Sequence, residues 1–443
     1  MIEQILQGKN IRIACRQVVS NKGSAGVDGM TVKELPHFLK SNRKDLCDKI
    51  RSDLYYAQAI LGVEIPKENG KKRLLGIPTV VDRLWQQAVH QIISPMFEVE
   101  FTEHSYGFRP HRNAHQAILQ AQEYIHEGYN YIVDIDLKSF FDEVDHEMLL
   151  SLLFAKVKCP ITLRLIRQWL GVPILIKGKL ARRRKGVPQG SPLSPLLSNI
   201  MLHELDTELE KRGHRYVRYA DDFSIYTRSK KAAQRVGNSI YLFLKNKMKL
   251  AINREKSGIR KPVQFKILGH EFVPTYKKGD KGKYQVVVSD RKWKSLKREL
   301  KQITQKTAPL TFDQRIAKLK TVYQGWINYF RMASMQTKLK ELDAWLRNRL
   351  RYCIWKVPKA FGRKKPERKR KNLIRLGVYN SQAYAWSRTR MGGWAVAQSP
   401  ILGTTITIER LIKRGYESMF SYYEKVSPDL NEPLYARSAC TVV

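Results

Sequence analysis

The sequence predicts an α+β fold in which a mixed strand-and-helix zone is followed by a helical one. Period-two alternation marks short strands among helical stretches up to about residue 275. Beyond that point the apolar residues recur at helical spacing over residues 291–355. At 443 residues the chain is too long for one ordinary core, and roughly two to four domains are expected.

The elements follow in order. Residues 1–60 read as short helices around a glycine-rich turn, Lys22-Gly23-Ser24-Ala25-Gly26-Val27-Asp28-Gly29. Val63 to Pro78 reads as a hairpin, with Glu68-Asn69-Gly70 as its turn. A helix is expected from Asp82, with Leu84, Ala88 and Ile92 on one face. Tyr131 to Asp136 is the clearest strand, with Tyr131, Val133 and Ile135 facing one way and Asp134 and Asp136 the other. A strand pair is expected at 216–219 and 223–226, joined at Asp221-Asp222. Three amphipathic helices come next, marked by Trp293, Leu296 and Leu300, then Ile316, Tyr323 and Trp326, then Leu342, Trp345 and Leu346. Their aromatic rings are expected to be core. Eight basic residues against one acid, Glu367, lie between Arg363 and Arg375 and read as a basic linker or loop into a small C-terminal domain.

Lys and Arg outnumber Asp and Glu by 81 to 40, a net charge of +41. Such an excess repels itself unless a polyanion lies along it, and basic residues in every third of the chain point to nucleic acid. The five cysteines include no Cys-x-x-Cys pair, which disfavours structural zinc or a disulfide framework and suits a reducing, cytoplasmic setting. Glu3, Lys9 and Arg12 break any signal-like apolar stretch, and no uncharged run approaches the roughly 18 residues of a membrane span. His111 and His115 are spaced i, i+4, but without an intervening Glu and a third ligand they are not expected to bind metal.

The strongest chemical signal joins two distant segments. Asp136-Leu137-Lys138-Ser139-Phe140-Phe141-Asp142 follows a strand, and Tyr219-Ala220-Asp221-Asp222 sits at a hairpin tip. Phosphoryl transfer from a nucleoside triphosphate needs hard anionic oxygens that hold two Mg²⁺ ions roughly 4 Å apart. Adjacent carboxylates at one tip repel each other without a cation, although Asp is also common in plain turns. Asp134 shares a strand face with Asp136 and competes with it for the ligand role.

These two segments resemble the catalytic blocks of reverse transcriptases. The resemblance implies Asp136, Asp221 and Asp222 as catalytic metal ligands, favours Asp136 over Asp134, and gives Asp222 a less direct part than Asp221. Gly186-Val187-Pro188-Gln189-Gly190-Ser191-Pro192 resembles the family's template and nucleotide block, with Ser191 where many relatives carry glycine. Ile65-Pro66-Lys67 and Lys72-Arg73-Leu74-Leu75-Gly76-Ile77-Pro78 resemble its fingers hairpin. By that resemblance Lys67 and Arg73 contact the triphosphate, with Gln189, Gly190 and Lys256 in the same pocket. Phe141 falls where the family places a ring under the incoming sugar, against a 2′-hydroxyl; plain core is the alternative.

Three further segments narrow the resemblance to group II intron-encoded proteins. They are the Gly23–Gly29 block, His104-Ser105-Tyr106-Gly107-Phe108-Arg109-Pro110, and a maturase-like pair at 324–330 and 372–377. The resemblance implies a right hand: an N-terminal extension over 1–60, fingers and an antiparallel palm over 61–275, a three-helix thumb over 276–360, and a basic maturase-type region over 361–443. It implies RNA-templated DNA synthesis from dNTPs on a DNA primer, together with binding of intron RNA. Arg363, Lys364, Lys365, Arg368, Lys369, Arg370 and Lys371 are the expected RNA contacts. The Cys/His-rich endonuclease of many relatives is not in the sequence, as in endonuclease-less members. Alternatives are a splicing factor with a silent polymerase and a domesticated enzyme of DNA repair or phage defence.

Overall fold

The computed structural model describes residues 1–66, 70, 72–275, 282–305, 307–356 and 366–427. The chain forms two compact units, Met1–Phe265 and Lys266–Val443. Lys67 and the run Arg363 to Lys365 lie outside the described residues.

The first unit opens with helices α1 (Ile2–Leu6), α2 (Gly8–Ser20) and α3 (Leu35–Arg51). Ile11, Ala14 and Val18 form the buried stripe of α2. The 17-residue α3 is longer than the short helix expected, with a proline in its first turn and Lys49 and Arg51 in its last. The glycine-rich turn between α2 and α3 is a close approach: a Cβ on Gly26 would lie 2.7 Å from the Thr79 Cα.

Strands β1 (Ile60–Pro66) and β2 (Lys72–Ile77) form the expected antiparallel hairpin. Helix α4 (Val80–Glu98) begins two residues before Asp82, because Thr79 caps it by accepting from the Asp82 N–H. Buried Asp82 accepts from the Tyr55 hydroxyl, the Thr79 hydroxyl, the Gln58 N–H and the Trp169 indole N–H, tying the 55–58 segment, the start of α4 and the helix that carries Trp169 together. Burial pushes its carboxyl up while those donors pull it back.

Helix α5 (Ala114–His126), with an Asn113–Gln116 capping box, leads to β3 (Tyr131–Asp136). Then come α6 (Phe140–Glu143), α7 (His146–Lys156), α8 (Pro160–Gly171), β4 (Ile174–Ile176), β5 (Lys179–Ala181) and α9 (Ser194–Lys211). Strands β6 (Arg215–Tyr219) and β7 (Asp222–Thr227), helix α10 (Lys230–Asn246) and β8 (Gly258–Arg260) complete the unit. One sheet runs β2-β1-β4-β5, with β1 and β4 parallel; the other runs β6-β7-β3-β8, all antiparallel. On β3 Ile132 is as buried as Val133, so both faces are covered there, and Tyr131, Asp134 and Asp136 stay half-open.

The second unit begins with a sheet, β11-β10-β9, from β9 (Lys266–Ile267), β10 (His270–Pro274) and β11 (Tyr284–Val288). Helices α11 (Asp290–Ile303), α12 (Phe312–Phe330) and α13 (Gln336–Lys356) follow. Next are α14 (Pro366–Arg375), α15 (Asn380–Ser387), α16 (Gly393–Gln398), α17 (Pro400–Thr405), α18 (Ile408–Lys413) and α19 (Met419–Val426). The expected basic linker is therefore helical from residue 366 onward. Pro366 opens α14, Glu367 lies in its first turn, Arg375 in its last, and Leu373 is buried. Asp343 on α13 accepts from the Tyr416 and Ser418 hydroxyls and from the Met419 and Phe420 N–H groups. Two orphan donors at the start of α19 are satisfied in this way. Among the described residues no helix is long and apolar enough to cross a membrane, and the described cysteines are free thiols.

Candidate active site

Strand pairing brings the predicted carboxylates together. Asp136, last residue of β3, lies directly opposite Asp222, first residue of β7. Ala220 and Asp221 form the two-residue turn between the paired Tyr219 and Asp222. Like charges opposite each other on a ladder are destabilising, and this sheet end carries three with Asp221. Ala220 has φ +57°, as primed two-residue hairpins require but alanine rarely adopts.

A buried network holds that turn. The Arg218 guanidinium, fully buried, donates to the Ala220 carbonyl at 3.0 Å and to the Asn199 side-chain oxygen at 3.0 Å. Its other nitrogens form a two-pronged ion pair with buried Asp206. Asn199 in turn donates to the Gly107 carbonyl at 2.9 Å. The Tyr106 N–H donates to the Arg218 carbonyl, and the Arg218 N–H to the His104 carbonyl, both at 2.9 Å. A Cβ on Gly107 would collide with the Ala220 amide nitrogen, which explains a glycine at that point of the 104–110 segment. Sequence reading missed Arg218, Asp206, Asn199 and Gly107 as a group. The available signal was Arg218 itself, a charge at a core-facing strand position between Tyr216 and Asp222.

The electrostatics follow from this crowding. Asp222 keeps an open solvent face, yet burial and then the charges of Asp221, Asp136 and Asp134 push its carboxyl up to about 6. Burial also raises Asp221, with Asp136 adding to the rise while Arg73 and Lys256 oppose it. The rivals on β3 have different surroundings. Asp134 is ion-paired with Arg260 of β8 at 2.7 Å. Asp136 accepts from Asn253 at 2.9 Å and meets the Lys256 ammonium at 3.3 Å from Oδ1 and 3.2 Å from Oδ2.

All three donors are carboxylate oxygens, a set suited to a hard divalent cation. Among the described residues no three His, Cys, Asp or Glu side chains gather closely enough to enclose an ion. Asp136 is engaged by Lys256 and Asn253 instead, and Lys256 supplies the counter-charge. The chemistry of the donor set fits Mg²⁺.

The nucleotide candidates cluster beside this point. The Gly76 N–H donates to the Gln189 carbonyl at 2.8 Å, and Arg73 Nε donates to the Gln189 side-chain oxygen. Gly190, at φ +113°, lies so close to the hairpin that a Cβ there would sit 2.7 Å from the Gly76 carbonyl oxygen. Phe141 is half-buried, edge-on to Phe140 at 5.3 Å, and its carbonyl accepts from the Val187 N–H at 2.6 Å. Arg73 and Lys256 act on the carboxylates, Gln189 and Gly190 meet the hairpin that carries Arg73, and Phe141 is tied to the 186–195 segment through Val187. The RNA candidates Arg368, Lys369, Arg370 and Lys371 are on α14 in the second unit. Arg368 and Lys371 are exposed, Lys369 covers Trp355, and Arg370 donates to Asn380.

Residues 65–272 match the family described as "Reverse transcriptase (RNA-dependent DNA polymerase)", and residues 293–373 match "Group II intron, maturase-specific domain". The chain is 30% identical over 312 residues to the group II intron-encoded protein LtrA of Lactococcus lactis subsp. cremoris, covering 56% of this chain and 52% of that one. It therefore spans about half the length of that relative. Against protein YkfC of Escherichia coli K12 it is 30% identical over 314 residues, covering 62% of this chain and 82% of the relative. An uncharacterized 91 kDa protein in the cob intron of Schizosaccharomyces pombe is 33% identical over 202 residues, covering 45% and 24%. This chain belongs to the family of group II intron-encoded reverse transcriptases with a maturase domain.

Proposed function

We propose that the chain is an RNA-dependent DNA polymerase that also binds intron RNA to assist splicing and mobility. The observation that carries the reading is the cross-strand pair Asp136–Asp222 with Asp221 at the adjoining turn, beside Arg73 and Gln189. In this reading fingers and palm lie in the first unit, and thumb and maturase region in the second.

Asp136, Asp221 and Asp222 are the ligands for two Mg²⁺ ions. When bound, these lower the pKa of the primer 3′-hydroxyl and neutralise the leaving pyrophosphate. Arg73 lies close enough to act on Asp221, and offers its guanidinium to the incoming triphosphate, offsetting charge on the leaving group. Gln189 orients Arg73 through its side-chain oxygen, and Gly190, having no Cβ, lets this segment lie against Gly76 of the hairpin and so sets Arg73 beside it. The Phe141 ring fills the space of a 2′-hydroxyl and so selects deoxynucleotides. Lys256, ion-paired with Asp136, supplies positive charge beside that carboxylate. Arg368 and Lys371 are open to RNA phosphates.

Primer extension on an RNA template with dNTPs and Mg²⁺ tests the reading. Asp221→Asn changes volume little and should lower extension by orders of magnitude, while affinity for structured RNA stays within about threefold (roughly 0.6 kcal/mol). Full extension by this variant overturns the two-metal assignment. Phe141→Val should retain DNA synthesis but incorporate ribonucleotides more readily; an unchanged dNTP-to-rNTP ratio makes Phe141 plain core.

A further inference from the structure

The three-helix segment of the second unit was expected to keep its aromatic rings inside, but one cluster does not. Lys294, Lys297, Arg298 and Lys301 on α11 follow the i, i+3, i+4, i+7 spacing that puts side chains on one helix face. All four are exposed, and they border a groove of about 550 Å³. Its other wall is Trp345 and Arg349 of α13 and Trp394 of α16. Among the described residues no carboxylate lines it. The volume falls in the roughly 300–1,000 Å³ range of clefts that take small organic groups.

The aromatic wall is rigid and half-open. Trp345 and Trp394 are both half-buried, and Tyr352 meets Trp394 edge-on at 6.1 Å. Arg349 is pinned between the rings: it donates to the Thr304 hydroxyl at 3.1 Å and the Thr304 carbonyl at 2.9 Å. From there its guanidinium lies 5.5 Å from the Trp394 ring centre and 6.0 Å from that of Trp345. Trp394 comes from beyond residues 293–373, so the maturase match does not cover it.

We infer that this groove holds an unpaired RNA nucleotide, its phosphates on the α11 cations and its base stacked on Trp394. Cations without acids select a polyanion. Half-open indole faces beside them select bases that are not already stacked, which a duplex does not offer. The inference rests on the RNA-binding reading above and adds to it the kind of RNA, single-stranded or splayed at a loop.

Full-length protein is titrated with a labelled single-stranded RNA, the same strand carrying abasic positions, and a duplex of equal length. Trp394→Ala should weaken single-strand binding about tenfold, leave duplex binding alone, and have no effect on the abasic strand. Trp394→Phe should recover most of the loss. Should Trp394→Ala fail to fold, Lys297→Gln with Lys301→Gln should lower the log–log salt slope for single strands by about 1.4, at about 0.7 per phosphate. Equal weakening by Trp394→Ala on abasic and intact strands, or on duplex and single strand, overturns the stacked base. Wild-type protein that binds no RNA overturns the underlying reading as well. Wild type that binds RNA while both sets of variants match it overturns the groove alone.

Discussion

Two hairpins of the first unit meet at the candidate active site and are held in opposite ways. The β6–β7 turn is fixed from below by Arg218, which is fully buried and shares its hydrogen bonds among Asp206, Asn199 and the Ala220 carbonyl. The β1–β2 hairpin is held to the 186–195 segment by one backbone hydrogen bond, from Gly76 to Gln189, and one exposed side-chain contact, from Arg73 to Gln189. Charge that must be placed to a fraction of an ångström is anchored in the core. Charge that must engage and release a substrate is held at the surface. The difference suits a polymerase, where the carboxylates stay put through every cycle and the cation above them grips and lets go.

The largest test of this contrast is Asp206→Ala. It leaves the Arg218 charge buried without its partner, and breaking such a pair costs roughly 3–5 kcal/mol. Denaturant unfolding of variant and wild type should show that loss, and RNA-templated extension should fall with it because Ala220 loses its anchor. A loss below about 1 kcal/mol would mean that the turn holds its shape without the buried pair.

This network also marks where the sequence stops being legible. The bounds of β3 and the pairing of β6 with β7 were readable because alternation and the Tyr-Ala-Asp-Asp run are local signals. The meaning of Arg218 was not, because its partners Asp206 and Asn199 lie on α9 and reach it only once the fold has formed. Asp134 and Asp136 share a strand face and only the family resemblance favoured Asp136; in the structure Arg260 pairs with Asp134, while Asn253 and Lys256 engage Asp136. On α14 the charge run masked the proline and acid that open a helix. Trp345 carried a correct helical period, yet its position at a groove depends on Trp394, far along the chain.

The second test loosens the lighter hairpin. Gln189→Ala keeps the backbone hydrogen bond to Gly76 and removes only the acceptor for Arg73. Stability should change by no more than about 0.5 kcal/mol, as for other surface substitutions. An arginine freed from its acceptor grips the triphosphate less well, and KM for dNTP should rise about tenfold (about 1.4 kcal/mol) with kcat moving less. Steady-state extension at varied dNTP decides it. A fall in kcat at constant KM would instead give Gln189 a part in the chemical step.

The smallest expected effect bears on why the anchored hairpin tolerates its charges. The Asp222 carboxyl is pushed up to about 6 from an ordinary 3.8, so the folded protein binds that proton more tightly than the unfolded chain does. Protonation therefore stabilises the fold, and the stability this group adds is lost as pH rises from about 4 through about 6. Asp222→Asn removes the charge, and at pH 7.5 the metal-free variant should be more stable than wild type. The gain should stay below about 1 kcal/mol, because Asp222 keeps a solvent face that screens its neighbours. Subtracting the two stability curves between pH 4 and about 7 isolates this group from Asp221 and Asp134, which are raised as well. Added Mg²⁺ should reverse the order, since a ligand bound only by the folded state stabilises it by mass action and the variant holds that ligand less well. Equal response of both proteins to Mg²⁺ would separate the crowding at this sheet end from any metal, leaving Arg73 and Lys256 as its counter-charges.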